Sequence, residues 1–325
     1  MNPIIYNADY LFNETLINFE FPVEIHVTRF LNNNYPQSIL NYFDLKENNK
    51  IISDNNYKEQ KNYIKIFIDS NEPSVCYMKE KESDILKFAG FYNLLLTTNP
   101  NILKKVPHSK LFLYGTTWLN KLNKDKTYLG EIDETFTGFN LKKDDYITFL
   151  KSNKVDILIN IVPGYDLREK IWSIKEKIKQ PVKFYYSNVG KNNSKFNYDG
   201  PLPNDDKLNL FGAKYSIIIE NSQEKNYFSE KLIDCLLTET IPIYWGCPNI
   251  DEYFDKNGFI FIEDEEDLLI KINNLNLNDF YSAAEHHIKN NFNIAKIYSK
   301  NYSKRLEDKI TEILFDKSKK NCIMV

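Results

Sequence analysis

The chain has 325 residues, 42% hydrophobic and 14% aromatic, with a formal net charge of −3. That is apolar material for two cores, which argues against global disorder, and the charge balance does not suggest nucleic acid, although it leaves room for a local basic patch. With 10 glycines, and neither GxGxxG nor GxxxxGK(S/T), it lacks the phosphate loops of nicotinamide Rossmann enzymes and P-loop NTPases.

The first segment, MNPIIYNADYLFNETLINFEF, is broken by charged and amide residues, so no secretory signal is expected. No stretch reaches the ~20 apolar residues of a membrane span. A cytoplasmic chain is expected, in the host cytoplasm if it is viral. VEIHVTRF, YIKIFID (Tyr63 to Asp69), FYNLLLTTN (Phe91 to Asn99) and SKLFLYGTTW (Ser109 to Trp118) read as strands from their β-branched and aromatic content. Helix-length spacers between them suggest a parallel α/β sheet. NLKKDDYITFLKSNK (Asn140 to Lys154) is polar and reads as a hinge, which sets an N-terminal domain over 1–145 and a C-terminal domain over 146–325.

Beyond the hinge, VDILINIV (Val155 to Val162) reads as a buried strand. Tyr165 to Gln180 reads as an amphipathic helix with Leu167, Ile171, Ile174 and Ile178 on one face. VKFYYS (Val182 to Ser187) is the next strand, followed by a turn-rich loop. Strand 215–220, helix 228–239 and strand 241–245 then form a βαβ unit. Phe259 to Ile262 gives a further strand, and helices near 264–275, 279–292 and 301–318 make a helical tail.

The cysteines (Cys76, Cys235, Cys247 and Cys322) have no zinc spacing and read as reduced core thiols. The histidines form no HExxH, and His286-His287 is expected to face solvent. The acidic run Glu263 to Asp267 reads as a solvated first helical turn that favours the dipole, not as a metal site. The terminal Cys-Ile-Met-Val has the shape of a prenylation box at Cys322, but Val is an unusual last residue and a frayed tail is the favoured reading.

The βαβ unit concentrates the chemistry. In such units ligands bind beyond the carboxyl ends of the strands, at helix N-termini. Glu220, Asn221, Tyr227, Glu230 and Lys231 all fall at that edge. A lysine in a first helical turn opposes the dipole unless an anion arrives from outside. The free N–H groups of that turn suit a phosphate, Lys231 adds a full charge, a carboxylate at 230 accepts from a ribose diol, and Tyr227 is placed to stack or bond. The competing reading makes Ser229 a plain N-cap, Glu230 a favourable first-turn acid and Lys231 a solvated surface residue.

Residues 214–254 resemble the signature of the family-ten glycosyltransferases, the α1,3/4-fucosyltransferases. The shared features are Glu220-Asn221-Ser222, Tyr227-Phe228-Ser229-Glu230-Lys231 and Pro242-Ile243-Tyr244-Trp245-Gly246, with Ser229 standing for the usual Thr and Phe228 for a β-branched residue. The resemblance implies a GT-B fold, two Rossmann-like domains facing across a cleft, with the donor held mainly by the C-terminal one. It implies an inverting transfer of fucose from GDP-fucose to a hydroxyl of a glycan or glycoconjugate acceptor, with no cofactor required. Asn221, Tyr227, Glu230 and Lys231 would contact the nucleotide sugar. Arg168 matches the family's arginine at the start of a helix and would neutralise the departing diphosphate, although the usual Ser-Asn before it is absent. Glu72 matches the family's base, with Asp69, Glu80 and Glu82 as competitors. Another donor sugar on the same fold, or a binding protein without turnover, are the alternatives.

Overall fold

The computed structural model describes residues 4–6, 18–28, 63–69, 78–113, 115–119, 136–152, 162–187, 200–203, 206–300 and 302–315. Residues 1–114 and 301–325 form one compact unit and residues 115–300 another.

The first unit is built on a parallel sheet in sequential order: β1 (Ile4–Tyr6), β2 (Val23–Thr28), β3 (Ile64–Asp69), β4 (Leu94–Thr97) and β5 (Ser109–Leu111). Its central strands β3 and β4 are buried along their middles, as strands covered on both faces are. One face packs Phe67 and Leu95 against Ile85 and Phe88 of α1 (Met78–Phe88) and Ile102 of α2 (Pro100–Lys105). The other packs Val23, Ile25, Ile66, Ile68, Leu94 and Leu96 against Tyr302, Leu306 and Ile310. Those three residues lie at helical spacing on the helix Tyr302–Phe315. The division between units thus falls at 114/115 rather than 145/146, and this helix belongs to the first unit because its apolar stripe completes that core. A buried polar cluster sits on β2, where His26 bridges Glu24 Oε1 (2.5 Å) and the Tyr92 hydroxyl (2.8 Å).

The second unit carries a six-stranded parallel sheet. Its strands are β6 (Asp144–Ser152), β7 (Val182–Ser187), β8 (Gly200–Pro201), β9 (Ala213–Ile219), β10 (Ile241–Trp245) and β11 (Ile260–Phe261), in the order β11-β10-β9-β6-β7-β8. The expected hinge at 140–154 is overturned: it contains β6, an interior strand paired to β9 and β7. Its charges concentrate at the ends, while Ile147, Thr148 and Phe149 are buried, with Thr148 Oγ1 satisfied by Leu210 O at 3.1 Å. Near its far end Lys151 pairs with Glu169. The expected strand Val155 to Val162 lies outside the described residues except for Val162.

Helices cover both faces. α3 (Pro163–Ser173) is shorter than the expected 165–180 and is followed by a 3-10 turn at Lys175–Lys177; Leu167 and Ile171 are buried, while Ile178 packs at the margin. α4 (Glu230–Leu237) lies between β9 and β10. The expected helix at 279–292 divides into α6 (Leu277–Ala283) and α7 (Glu285–Ser299), which follow α5 (Glu265–Asn273). Asp264 caps α5 through the N–H groups of Glu266 and Asp267, so the acidic run is a first helical turn as read. Cys235 and Cys247 are buried free thiols, and Cys76 and Cys322 lie outside the described residues. His286 is exposed, whereas His287 bonds Asp255 Oδ2 at 2.6 Å. Among the described residues no helix is long and apolar enough to cross a membrane.

Candidate functional site

β9 and β10 end level, with Ile219 opposite Trp245, and Glu220 N extends the ladder by donating to Trp245 O at 2.9 Å. The chain then leaves the sheet at Glu220-Asn221. Two helices start beside this point. α3 has Pro at its first position, where a missing N–H costs nothing. Gly164 N donates to Asn221 O at 2.9 Å, and a Cβ on Gly164 would fall 1.9 Å from Glu220 O. Only a glycine lets the α3 backbone come so close to the end of β9.

Arg168 lies one turn further along α3 and is 6% exposed. Its guanidinium donates to Ile219 O and, at 2.9 Å, to Asn221 Oδ1, and it lies 4.9 Å from the Tyr165 ring centroid. Burial pulls its pKa down, opposed by the fields of Tyr165, Glu220, Tyr227 and Glu230. Among the described residues no carboxylate forms an ion pair with it; its acceptors are a carbonyl and an amide. A buried cation normally carries a paired anion, and this one has only neutral acceptors.

α4 begins on the other side. Ser229 is its N-cap, with Oγ accepting from Lys231 N at 3.4 Å. Glu220, 0% exposed, holds that cap from below: its Oε1 accepts from Ser229 N (2.8 Å) and its Oε2 from Ser229 Oγ (2.7 Å). Burial raises the Glu220 pKa, opposed by Lys231 and by the Ser229 bonds. With both oxygens engaged beneath the helix start, Glu220 positions the cap instead of facing outward. Lys231 Nζ reaches Ser229 Oγ at 3.0 Å, Glu220 Oε2 at 3.6 Å and Glu230 Oε1 at 3.7 Å. The structural reading therefore holds for Ser229, which is a cap, and not for Lys231, which is a part-buried cation held by two carboxylates rather than a solvated surface residue.

Glu230 sits between two ammonium groups, Lys231 and Lys207, the latter 3.5 Å away. Burial alone would raise its pKa, but the two lysines and the bonds at the helix start bring it down to about 2. It is ionised at any physiological pH. Tyr227 is 1% exposed, so its ring belongs to the packing under the site, and its field reaches Arg168.

The structure adds three residues that sequence reasoning missed. Asp234, one turn after Glu230 and fully buried, accepts from Thr117 Oγ1 (2.6 Å), Trp118 N (2.9 Å) and Lys207 Nζ (3.0 Å). Burial raises its pKa against those stabilising contacts. Lys207 lies 4.6 Å from the Trp118 ring centroid. The one available signal was an aspartate inside the apolar run LIDCLL, where a charge demands a partner; nothing local marked Lys207 or Trp118.

The proposed base Glu72 lies outside the described residues. Of its competitors, Asp69 Oδ2 accepts from Thr97 Oγ1 at 2.9 Å, Glu82 pairs with Lys105 at 3.0 Å, and the side chain of Glu80 is outside the described residues. No group of His, Cys, Asp and Glu able to hold a metal occurs among the described residues.

No family model matches the chain. A 51-residue segment, 16% of the chain, is 39% identical to an α-(1,3)-fucosyltransferase of Helicobacter pylori and covers 11% of it. An 80-residue match, 23% of the chain, is 38% identical to a putative fucosyltransferase of Acanthamoeba polyphaga mimivirus and covers 13% of that protein. The matches therefore span little more than a tenth of either relative. Among solved structures, sucrose-phosphate synthase of Thermosynechococcus elongatus superposes over 90% of this chain and 73% of its own, with 12% identity and a TM-score of 0.51. An α1,3-fucosyltransferase crystal structure is similar over 91% of this chain and 90% of its own, with 17% identity and a TM-score of 0.40. The fold is GT-B, two parallel α/β units in one chain, and the local sequence likeness is to fucosyltransferases.

Proposed function

We propose that the chain is an inverting glycosyltransferase that transfers fucose from GDP-fucose to a hydroxyl of a glycan acceptor. The observation that carries this reading is Arg168, a buried guanidinium with no anionic partner among the described residues, beside the same strand end from which Lys231 is held. A diphosphate supplies the missing negative charge. Charge-assisted bonds to it strengthen as the sugar departs and charge builds on the leaving oxygen. Glu230, ionised and fixed between two lysines, accepts from the ribose hydroxyls. In the transfer the bond from fucose C1 to the phosphate oxygen breaks. The acceptor oxygen attacks C1 from the opposite face, and its proton passes to Glu72. The fucosyl and GDP assignments are supported by the motif at 220–246 and by the local likeness to fucosyltransferases.

Calorimetric titration of the full chain with GDP, UDP, CMP and dTDP tests this, alongside GDP release from GDP-fucose in the presence of glycan acceptors. The expected result is GDP binding that Arg168→Met and Lys231→Ala weaken, with Glu72→Gln abolishing turnover while GDP still binds. Preference for UDP or dTDP would overturn the fucosyl assignment, and GDP binding without turnover on any acceptor would favour a binding protein.

A further inference from the structure

Building on that reading, we propose that Trp118 is the stacking platform for the nucleobase of the donor, with Lys207 as the residue that positions it. Trp118 is one of three tryptophans in the chain. Trp172 and Trp245 are buried at 3% and 8% exposure, whereas Trp118 is 39% exposed. It is nonetheless held. Its backbone N donates to Asp234 at 2.9 Å, its neighbour Thr117 bonds the same carboxylate, and the Lys207 ammonium lies 4.6 Å from its ring centroid. The backbone that carries the indole is fixed through Asp234 and the ring itself is held by Lys207, so an indole kept in contact with water is preorganised for a flat partner.

Its place relative to the ribose site sets the partner. Lys207 Nζ is 4.6 Å from the indole centroid and 3.5 Å from Glu230 Oε1, so the ring and the carboxylate lie about 8 Å apart at most. One nucleoside spans that separation, with its diol on Glu230 and its base against the part of the indole that Lys207 leaves open. Glu230 and Asp234 are four residues apart on α4 and so share a face, which puts the diol acceptor and the anchor of Trp118 on one side of one helix. Lys207 joins them by bonding both carboxylates, and the fields of Asp234 and Glu230 raise its pKa against the effect of burial, so it stays charged. Base-on-aromatic stacking tolerates any base; Trp118 therefore supplies affinity for the nucleoside part without selecting guanine.

The test uses the full chain and its own fluorescence, since Trp118 is the exposed tryptophan. GDP is expected to quench the emission that acrylamide reaches and to protect it from acrylamide. Pyrophosphate, which has no base, is expected to bind without either effect. Trp118→Ala should weaken GDP about 10-fold, in the range of a lost base–aromatic stack, and leave pyrophosphate affinity unchanged. Trp118→Phe should recover most of the GDP affinity, and Trp118→Leu, similar in apolar character but without a π face, should not. Equal loss for GDP and pyrophosphate would make Trp118 a structural residue and overturn the proposal. Unchanged GDP affinity with a raised acceptor KM would also overturn it and assign the indole to an acceptor sugar. Pyrophosphate binding as tightly as GDP to the unsubstituted chain would remove the base subsite while the anion site stands. Binding of neither ligand would instead bring down the glycosyltransferase reading on which it rests.

Discussion

Replacing Gly164 by alanine separates local propensity from tertiary packing, because the two predict opposite signs. Gly164 is the second residue of α3, and Ala is preferred to Gly in a helix by about 1 kcal/mol. On propensity alone Gly164→Ala should stabilise. The structure says otherwise. The new Cβ would lie 1.9 Å from Glu220 O, 2.8 Å from Asn221 O and 2.9 Å from Asn221 C, all backbone atoms that no side-chain rotation can clear. Restoring an ordinary contact requires α3 and the end of β9 to part by roughly 1.5 Å, since packed atoms do not overlap. Overpacking of this kind costs about 1–3 kcal/mol, and loss of the Gly164 N to Asn221 O bond adds about 1 kcal/mol. After the propensity gain, the net destabilisation is about 1–3 kcal/mol. All three tryptophans lie in the 115–300 unit, so urea unfolding followed by fluorescence reads that unit. Arg168 rides on the same helix one turn on, so GDP affinity should fall with stability. A Gly164→Ala chain as stable as its parent, with unchanged GDP binding, would refute the argument from close approach.

Three further outcomes are expected. Ser229→Ala removes the N-cap and leaves Glu220 Oε2 buried without its 2.7 Å donor, costing about 2 kcal/mol in urea unfolding; Ser229→Thr keeps the hydroxyl and should restore it. Glu230 has a folded pKa of about 2 against an ordinary 4.5, so its ionised form is favoured by folding. Its contribution, up to about 3 kcal/mol, is present above pH 4.5 and is lost as the pH falls through 2. The stability difference between the parent and Glu230→Gln should therefore be flat from pH 5 to 7 and shrink below pH 4, and a constant difference down to pH 2.5 would show that the two lysines do not hold Glu230 ionised. Asp234→Asn keeps an acceptor for Trp118 N but removes the charge facing Lys207; it should lower the midpoint of unfolding and weaken GDP, as measured by thermal shift and titration, while pyrophosphate binding holds.

What could be read from the sequence was what local chemistry imposes. The strands of both sheets, rich in β-branched and aromatic residues, were legible at β2, β3, β4, β7, β9 and β10. The N-cap at Ser229 and the acid-rich first turn of α5 followed from short-range hydrogen bonding to free N–H groups. The motif at 220–246 marked the helix start as the place to look. β6 was misread because its charged ends dominate the window, and burial of Lys151 depends on Glu169, a partner a sequence window does not contain. The domain boundary was misplaced for a related reason. An amphipathic helix such as Tyr302–Phe315 shows that it needs a sheet, but not which one.

The site divides the same way. The sequence determined which residues stand at the end of β9 and the start of α4, because strand and helix periodicity fix them. Only the tertiary structure decided that Glu220 lies beneath the cap, that Tyr227 is packed away, and that Arg168 is a buried cation with neutral acceptors. Only it brought Lys207 and Trp118 to Asp234. Those pairings join residues 27 and 116 positions apart, and electrostatic and hydrogen-bonding partners are chosen by distance in space, which the order of residues along the chain does not carry.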